Sequence, residues 1–123
     1  MKVNLRSIRV KQHRELVRAL RAKHYKLEVE HHVGKRRRVD IRLPCRKPVV
    51  RIEVQGFFHG SDKQVHSDFV KLCDARNKGE ALVEWFPSYR VAEDRKAIAY
   101  IVGLVRQGVT GVVPVMSANF RRV

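Results

Sequence analysis

The sequence predicts an α/β fold in which a mixed sheet is flanked by helices. Three features predict it. Apolar residues alternate with polar ones in several short runs, and in other segments they recur at three- and four-residue spacing. The runs follow the order helix, three strands, helix, strand, helix, strand, with short connections between the first three strands. At 123 residues the chain is expected to form one domain, residues 1–123, large enough to bury a core without staples.

Val10, Val17, Leu20 and His24, with Leu16 beside them, predict a first helix over about 10–23. Its one acid, Glu15, borders the apolar stripe, where Lys11 or Arg18 can form a local ion pair with it. Strict alternation over 25–33 predicts a half-buried strand, with Tyr25, Leu27, Val29, His31 and Val33 on one side. Gly34-Lys35 turns the chain into a second strand over 37–43, and a connection from Pro44 to Pro48 leads to a third over 49–55. Short connections make these three an antiparallel meander. Gly56 ends the meander, and Ser61 or Asp62 can cap a helix that stops at Asn77-Lys78-Gly79. Val65, Phe69, Leu72, Cys73 and Arg76 share one face of it. A mostly apolar strand over 81–86 follows, ended by Pro87, and its connection to the third strand is expected to be a right-handed crossover. Ala97, Ile98, Ile101, Val102 and Val105 predict a last helix over about 92–106, stopped by Gly108, before a short strand over 109–115.

The chain carries 27 Lys and Arg against 12 Asp and Glu, a formal net charge of +15. Charge of this size, spread along the whole chain, points to a polyanion partner, nucleic acid ahead of an acidic membrane surface. No apolar run nears the ~20 residues that span a bilayer, and no signal-peptide pattern opens the chain, so no membrane association is expected. Cys45 and Cys73 are isolated thiols without CxxC spacing, which favours a reduced, cytoplasmic setting over a disulfide. His24, His31 and His32 with these single cysteines lack the short paired spacings of a structural zinc site. Glycine-rich phosphate loops and the GxSxG elbow are absent, which argues against nucleotide-dependent and acyl-transfer chemistry.

The chemistry concentrates in the stretch RVDIRLPCRKPVVRIEVQGFFH, residues 38–59. Alternation sends Asp40, Arg51, Glu53 and Gln55 to the face opposite the apolar set. Two carboxylates on adjacent strands can hold Mg²⁺, or Mn²⁺, while leaving room for water and a phosphate. Gln55 can orient a water or touch the phosphate but supplies no positive charge. Lys35, Arg36, Arg37, Arg38, Arg42, Arg46 and Lys47, with Arg51, are positioned to grip phosphates around such a site. Trp85, Phe57 and Phe58 can stack on bases, although large aromatics at strand positions more often fill cores.

The pattern VDIRL, a short connection and then VRIEVQG resembles the core motif of the PD-(D/E)xK nuclease superfamily, with Gln where Lys is usual. The predicted order resembles the αβββαβ core of restriction-endonuclease-like proteins. IEVQG followed by His59, Asp68 and KGEALVEW resembles the very-short-patch-repair-endonuclease-like branch. The resemblance spans about residues 10–106. It implies that Asp40 and Glu53 are metal ligands, that Gln55 takes the lysine position, and that Glu15 is the first-helix acid completing the metal site. His59 can then protonate or position a group, contact phosphate, or pack at the helix entrance, and Asp68 can belong to the site or pair with Lys63 or Lys71. The chain departs from the pattern in having Val39 where Pro is usual and Gln55 where Lys is usual.

The expectation is therefore a Mg²⁺-dependent endodeoxyribonuclease, structure-specific or of low sequence specificity, in a DNA repair or recombination setting. A homodimer is the arrangement by which so small a core could address both strands. The rival expectation is a non-catalytic basic protein that binds RNA or DNA, including a degenerate nuclease fold kept for binding.

Overall fold

The structure, a computed structural model, describes residues 11–33, 37–55 and 62–121, and the side chains of all of these except 30–33, 37–39 and 62–68. Five strands form one mixed sheet in the order β1 (Glu28–Val33), β2 (Arg37–Leu43), β3 (Val50–Val54), β4 (Ala81–Phe86) and β5 (Val112–Met116). The helices are α1 (Lys11–Ala22), α2 (Asp62–Asn77) and α3 (Val91–Gln107), and a 3₁₀ turn, Ser117–Phe120, follows β5. β1, β2 and β3 form the antiparallel meander, while β3, β4 and β5 are parallel neighbours. The α/β class and the mixed sheet are thus those the sequence predicts. The first strand starts later than its alternation suggests. His24 takes a positive φ of 65° and the Tyr25 N–H reaches back to Leu20 O at 3.3 Å, so the residues before Glu28 serve as the helix exit.

Alternation along the strands gives the sheet two unlike faces. Ile41, Leu43, Val50, Ile52, Val83, Trp85 and Val115 point to one, where α1 contributes Leu16, Val17 and Leu20 and α3 contributes Ala97, Ile98, Ile101 and Val105. This is the core, and each fully buried aliphatic side chain in it contributes ~1.5–3 kcal/mol. Trp85 belongs to it completely. Its indole N–H donates to the buried Ser117 Oγ at 2.8 Å, so it is packing and not a stacking platform.

α2 covers the other face, and its rotation differs from the expected one. Phe69 is 62% exposed and Arg76 is exposed, while Ala75 is buried and Lys71 and Asp74 reach the sheet. The physical reason is the face it covers. Arg51 and Glu53 project from β3 there, and buried charges require counter-charges more than an aromatic ring requires burial. Because β3, β4 and β5 advance in one direction while α2 and α3 lie on opposite faces, the two crossovers have opposite hands. Only one can follow the usual right-handed rule.

Candidate active site

β2 and β3 pair through Leu43–Val50, Arg42–Arg51 and Ile41–Ile52. Continued by one residue, that register sets Asp40 opposite Glu53. Here a side chain takes over from the ladder: Asp40 Oδ2 accepts the Val54 backbone N–H at 2.7 Å. The bond turns the Asp40 carboxylate toward β3, and its negative charge acts on the Glu53 carboxyl beside it. The sequence-predicted pair is therefore together, on one face and near the carboxyl end of β3.

Glu53 is buried, and its Oε1 has no hydrogen-bond partner among the described residues. Burial first, and then the negative Asp40 beside it, push its carboxyl from an ordinary 4.5 up to about 8, against the opposing pull of Lys71. Lys71 Nζ from α2 lies 3.3 Å from Oε1 and 3.4 Å from Oε2, with hydrogen-bond geometry only to Oε2. Two facing carboxyls need a proton or a cation between them, and at neutral pH without a divalent ion a proton serves. Gln55 is buried two residues beyond Glu53, its backbone N–H donating to Trp85 O at 2.7 Å. Strand alternation carries its amide to the Glu53 side.

The other predicted site residues fall elsewhere. Glu15, the acid expected to complete the site, is not gathered with the pair. It lies beside Lys11 at 3.9 Å, on a helix that packs against the opposite face of the sheet from the Asp40 and Glu53 side chains. His13 of the same helix meets β2 instead, with Nε2 3.2 Å from the Asp40 carbonyl oxygen. Among the described residues no group of three or more His, Cys, Asp and Glu side chains gathers as metal ligands. His59, Lys35 and Arg36 lie outside the described residues, as do Phe57 and Phe58 and the side chains of Arg37, Arg38, His31, His32 and Asp68.

Arg51 is not a phosphate contact. It is 1% exposed, its Nε donates to Glu80 Oε2, and its Nη2 donates to Asp74 Oδ2 at 2.6 Å. Its cross-strand neighbour Arg42 bonds Glu28 at 2.8 Å and Glu80 at 3.2 Å. Like charges opposite one another repel, and Glu80 relieves the pair by binding both. Burial acts to raise the Asp74 carboxyl, but hydrogen bonds and charge from Arg51, then Lys78, outweigh it and hold it below its usual value. Arg42 is thus engaged within the protein as well. Arg46 lies beyond the far end of β3, donating to Val105 O at 2.7 Å and stacking over the Tyr25 ring. There it satisfies the carboxyl end of α3. Lys47 beside it is exposed. Cys45 and Cys73 are free thiols. Among the described residues no helix is long and apolar enough to cross a membrane.

Two residues escaped sequence reasoning. Lys71 is in the site, and Glu80 organises the arginines behind it. Lys71 looked like one more cation on a helix of mixed charge, and the only signal for it was the i, i+3 spacing to Asp74, which matches Glu53 and Arg51 at i, i+2 on a strand. No protein-family model, curated protein or solved structure matches the chain.

Proposed function

We propose that this chain is a metal-dependent endodeoxyribonuclease with a restriction-endonuclease-like αβββαβ core, cutting DNA by structure or with low sequence specificity. The observation that carries the reading is the Asp40–Glu53 pair: two carboxyls opposite one another on adjacent strands, one of them buried, in a chain of net charge +15. A surface built only to bind phosphate gains nothing from an acid pair, which repels the ligand unless a cation intervenes.

The donor set fits a hard divalent ion. Facing oxygens, one without a hydrogen-bond partner, are relieved by a positive charge between them. Asp40 and Glu53 would hold Mg²⁺ or Mn²⁺ from one side only. Such an ion, when bound, supplies an activated water and neutralises charge on the phosphate. Asp40 is oriented for this by the Val54 N–H, and Glu53 by Lys71. Gln55 can hydrogen-bond the attacking water. The proton held at Glu53 must leave before an ion can enter. At limiting metal, activity is therefore expected to rise with pH toward about 8, and excess metal is expected to move the rise to lower pH.

The test is incubation with linear, supercoiled, single-stranded and branched DNA in Mg²⁺, Mn²⁺ or EDTA. Cleavage is expected with metal and not with EDTA. Asp40→Asn and Glu53→Gln are expected to abolish it while DNA binding survives. If both variants cut as well as the parent, the site is wrong. If nothing is cut in any metal yet DNA or RNA binds tightly, the protein is a binding module.

A further inference from the structure

We propose that Lys71 of α2 is the cationic residue of this site, and that it exchanges Glu53 for the phosphate of the bound DNA. The inference rests on the nuclease reading for the role of that phosphate, and on the structure's own contacts for the residue.

Phosphodiester hydrolysis builds negative charge on the phosphate oxygens, and a positioned cation beside them is worth more in a partly desolvated site than in water. Gln55 carries no charge, Arg51 is held by Glu80 and Asp74, and Arg42 by Glu28 and Glu80. Lys71 is the described cation in contact with the acid pair. Its ammonium is 3.3 Å from Glu53, and its side chain is 14% exposed, so it is neither sealed away nor free in solvent.

Its position does not depend on Glu53 alone. Asp74, almost one helical turn later, bonds Arg51 at 2.6 Å, two residues earlier on β3. The two contacts run in opposite order along helix and strand, so α2 lies antiparallel to β3 and is pinned at two points. The Arg51 pin keeps α2 in place when Lys71 lets go. A lysine also suits a group that changes partner, being a point charge on a flexible four-carbon stem. With Glu53 engaged as a metal ligand, the ammonium would lose its partner, and its flexible stem would let it turn to a phosphate bound beside the pair. Lys71 touches the substrate without forming a covalent bond or giving up its proton.

The experiment compares the parent, Lys71→Met and Lys71→Arg as full-length chains. Met keeps most of the apolar stem, and Arg keeps the charge. Binding of a branched DNA is measured over about 50–200 mM salt with Mg²⁺, or with Ca²⁺ in its place if the parent cuts, so that both carboxylates of the pair are kept. Each lost phosphate contact is expected to reduce the slope of log K against log salt by about 0.9. Lys71→Met is expected to show that reduction and Lys71→Arg to keep the parent slope. Where the parent cuts, Lys71→Met is also expected to lower kcat on the order of 10²-fold. An unchanged slope in a folded Lys71→Met overturns the inference, whatever the protein cuts, and reduces the Glu53 contact to a structural ion pair. So does an unchanged kcat. A reduced slope in a protein that cuts nothing upholds the phosphate contact and overturns the nuclease reading instead.

Discussion

The sharpest consequence of the acid pair concerns stability against pH. Glu53 ionises near 4.5 in the unfolded chain and near about 8 in the folded one. Between those values the folded protein holds a proton that the unfolded chain has lost, so stability falls as pH rises through the window. Moving from 4.5 to about 8, at ~1.36 kcal/mol for each tenfold change in proton affinity, sets a ceiling of about 5 kcal/mol. Relaxation of Lys71 and entry of water around a newly charged carboxylate reduce this to about 1–3 kcal/mol. The perturbation is Glu53→Gln, which keeps the shape and removes the titration. Urea unfolding of parent and variant in EDTA, from about pH 5 to 9, gives the difference in unfolding free energy at each pH. Lys71 loses its partner in the variant at every pH, which adds a constant offset without a slope, and histidine titrations common to both chains largely cancel. The parent is expected to lose about 1–3 kcal/mol relative to the variant across the window. A flat difference would refute the claim that Glu53 is held protonated beside Asp40. Near pH 8, Mn²⁺ at about 100 times its Kd should return about 2.7 kcal/mol to the parent and nothing to the variant.

Arg51→Met takes the buried partner from Glu80 and Asp74, leaving them Arg42 and Lys78, and is expected to cost about 1–3 kcal/mol in urea unfolding. The salt slope of DNA binding should not change, because Arg51 faces acids of its own chain. Trp85→Phe removes the indole N–H from Ser117 inside the core, and a loss of about 1–3 kcal/mol is expected, read as a lower thermal midpoint. Glu15→Gln loses only a long, exposed pair with Lys11. Its unfolding free energy should move by less than about 0.5 kcal/mol, and its affinity for Mn²⁺, read by calorimetry, should match the parent's.

Much of this was legible from spacing alone. The period-two runs around Ile41 and Ile52 have their apolar set in the core and Asp40 and Glu53 on the reverse face, because alternation is a property of the extended backbone. The apolar spacing of Ala97, Ile98, Ile101 and Val105 likewise appears as the buried face of α3. The second helix was not readable in this way. Its apolar residues suggested a face through Phe69, but the sheet it meets is charged, and the partner decided which side turned inward.

The same division holds for the site. The sequence by itself determined that two acids share a face of adjacent strands and that the chain is basic enough to seek a polyanion. Tertiary structure alone decided which basic residues are committed elsewhere. Arg51 and Arg42 went to Glu80, Asp74 and Glu28, Arg46 to the end of α3, and Lys71 to the acids. The reason is that backbone periodicity is local and readable, whereas a charge's role depends on its burial and on the counter-charge that distant segments bring to it.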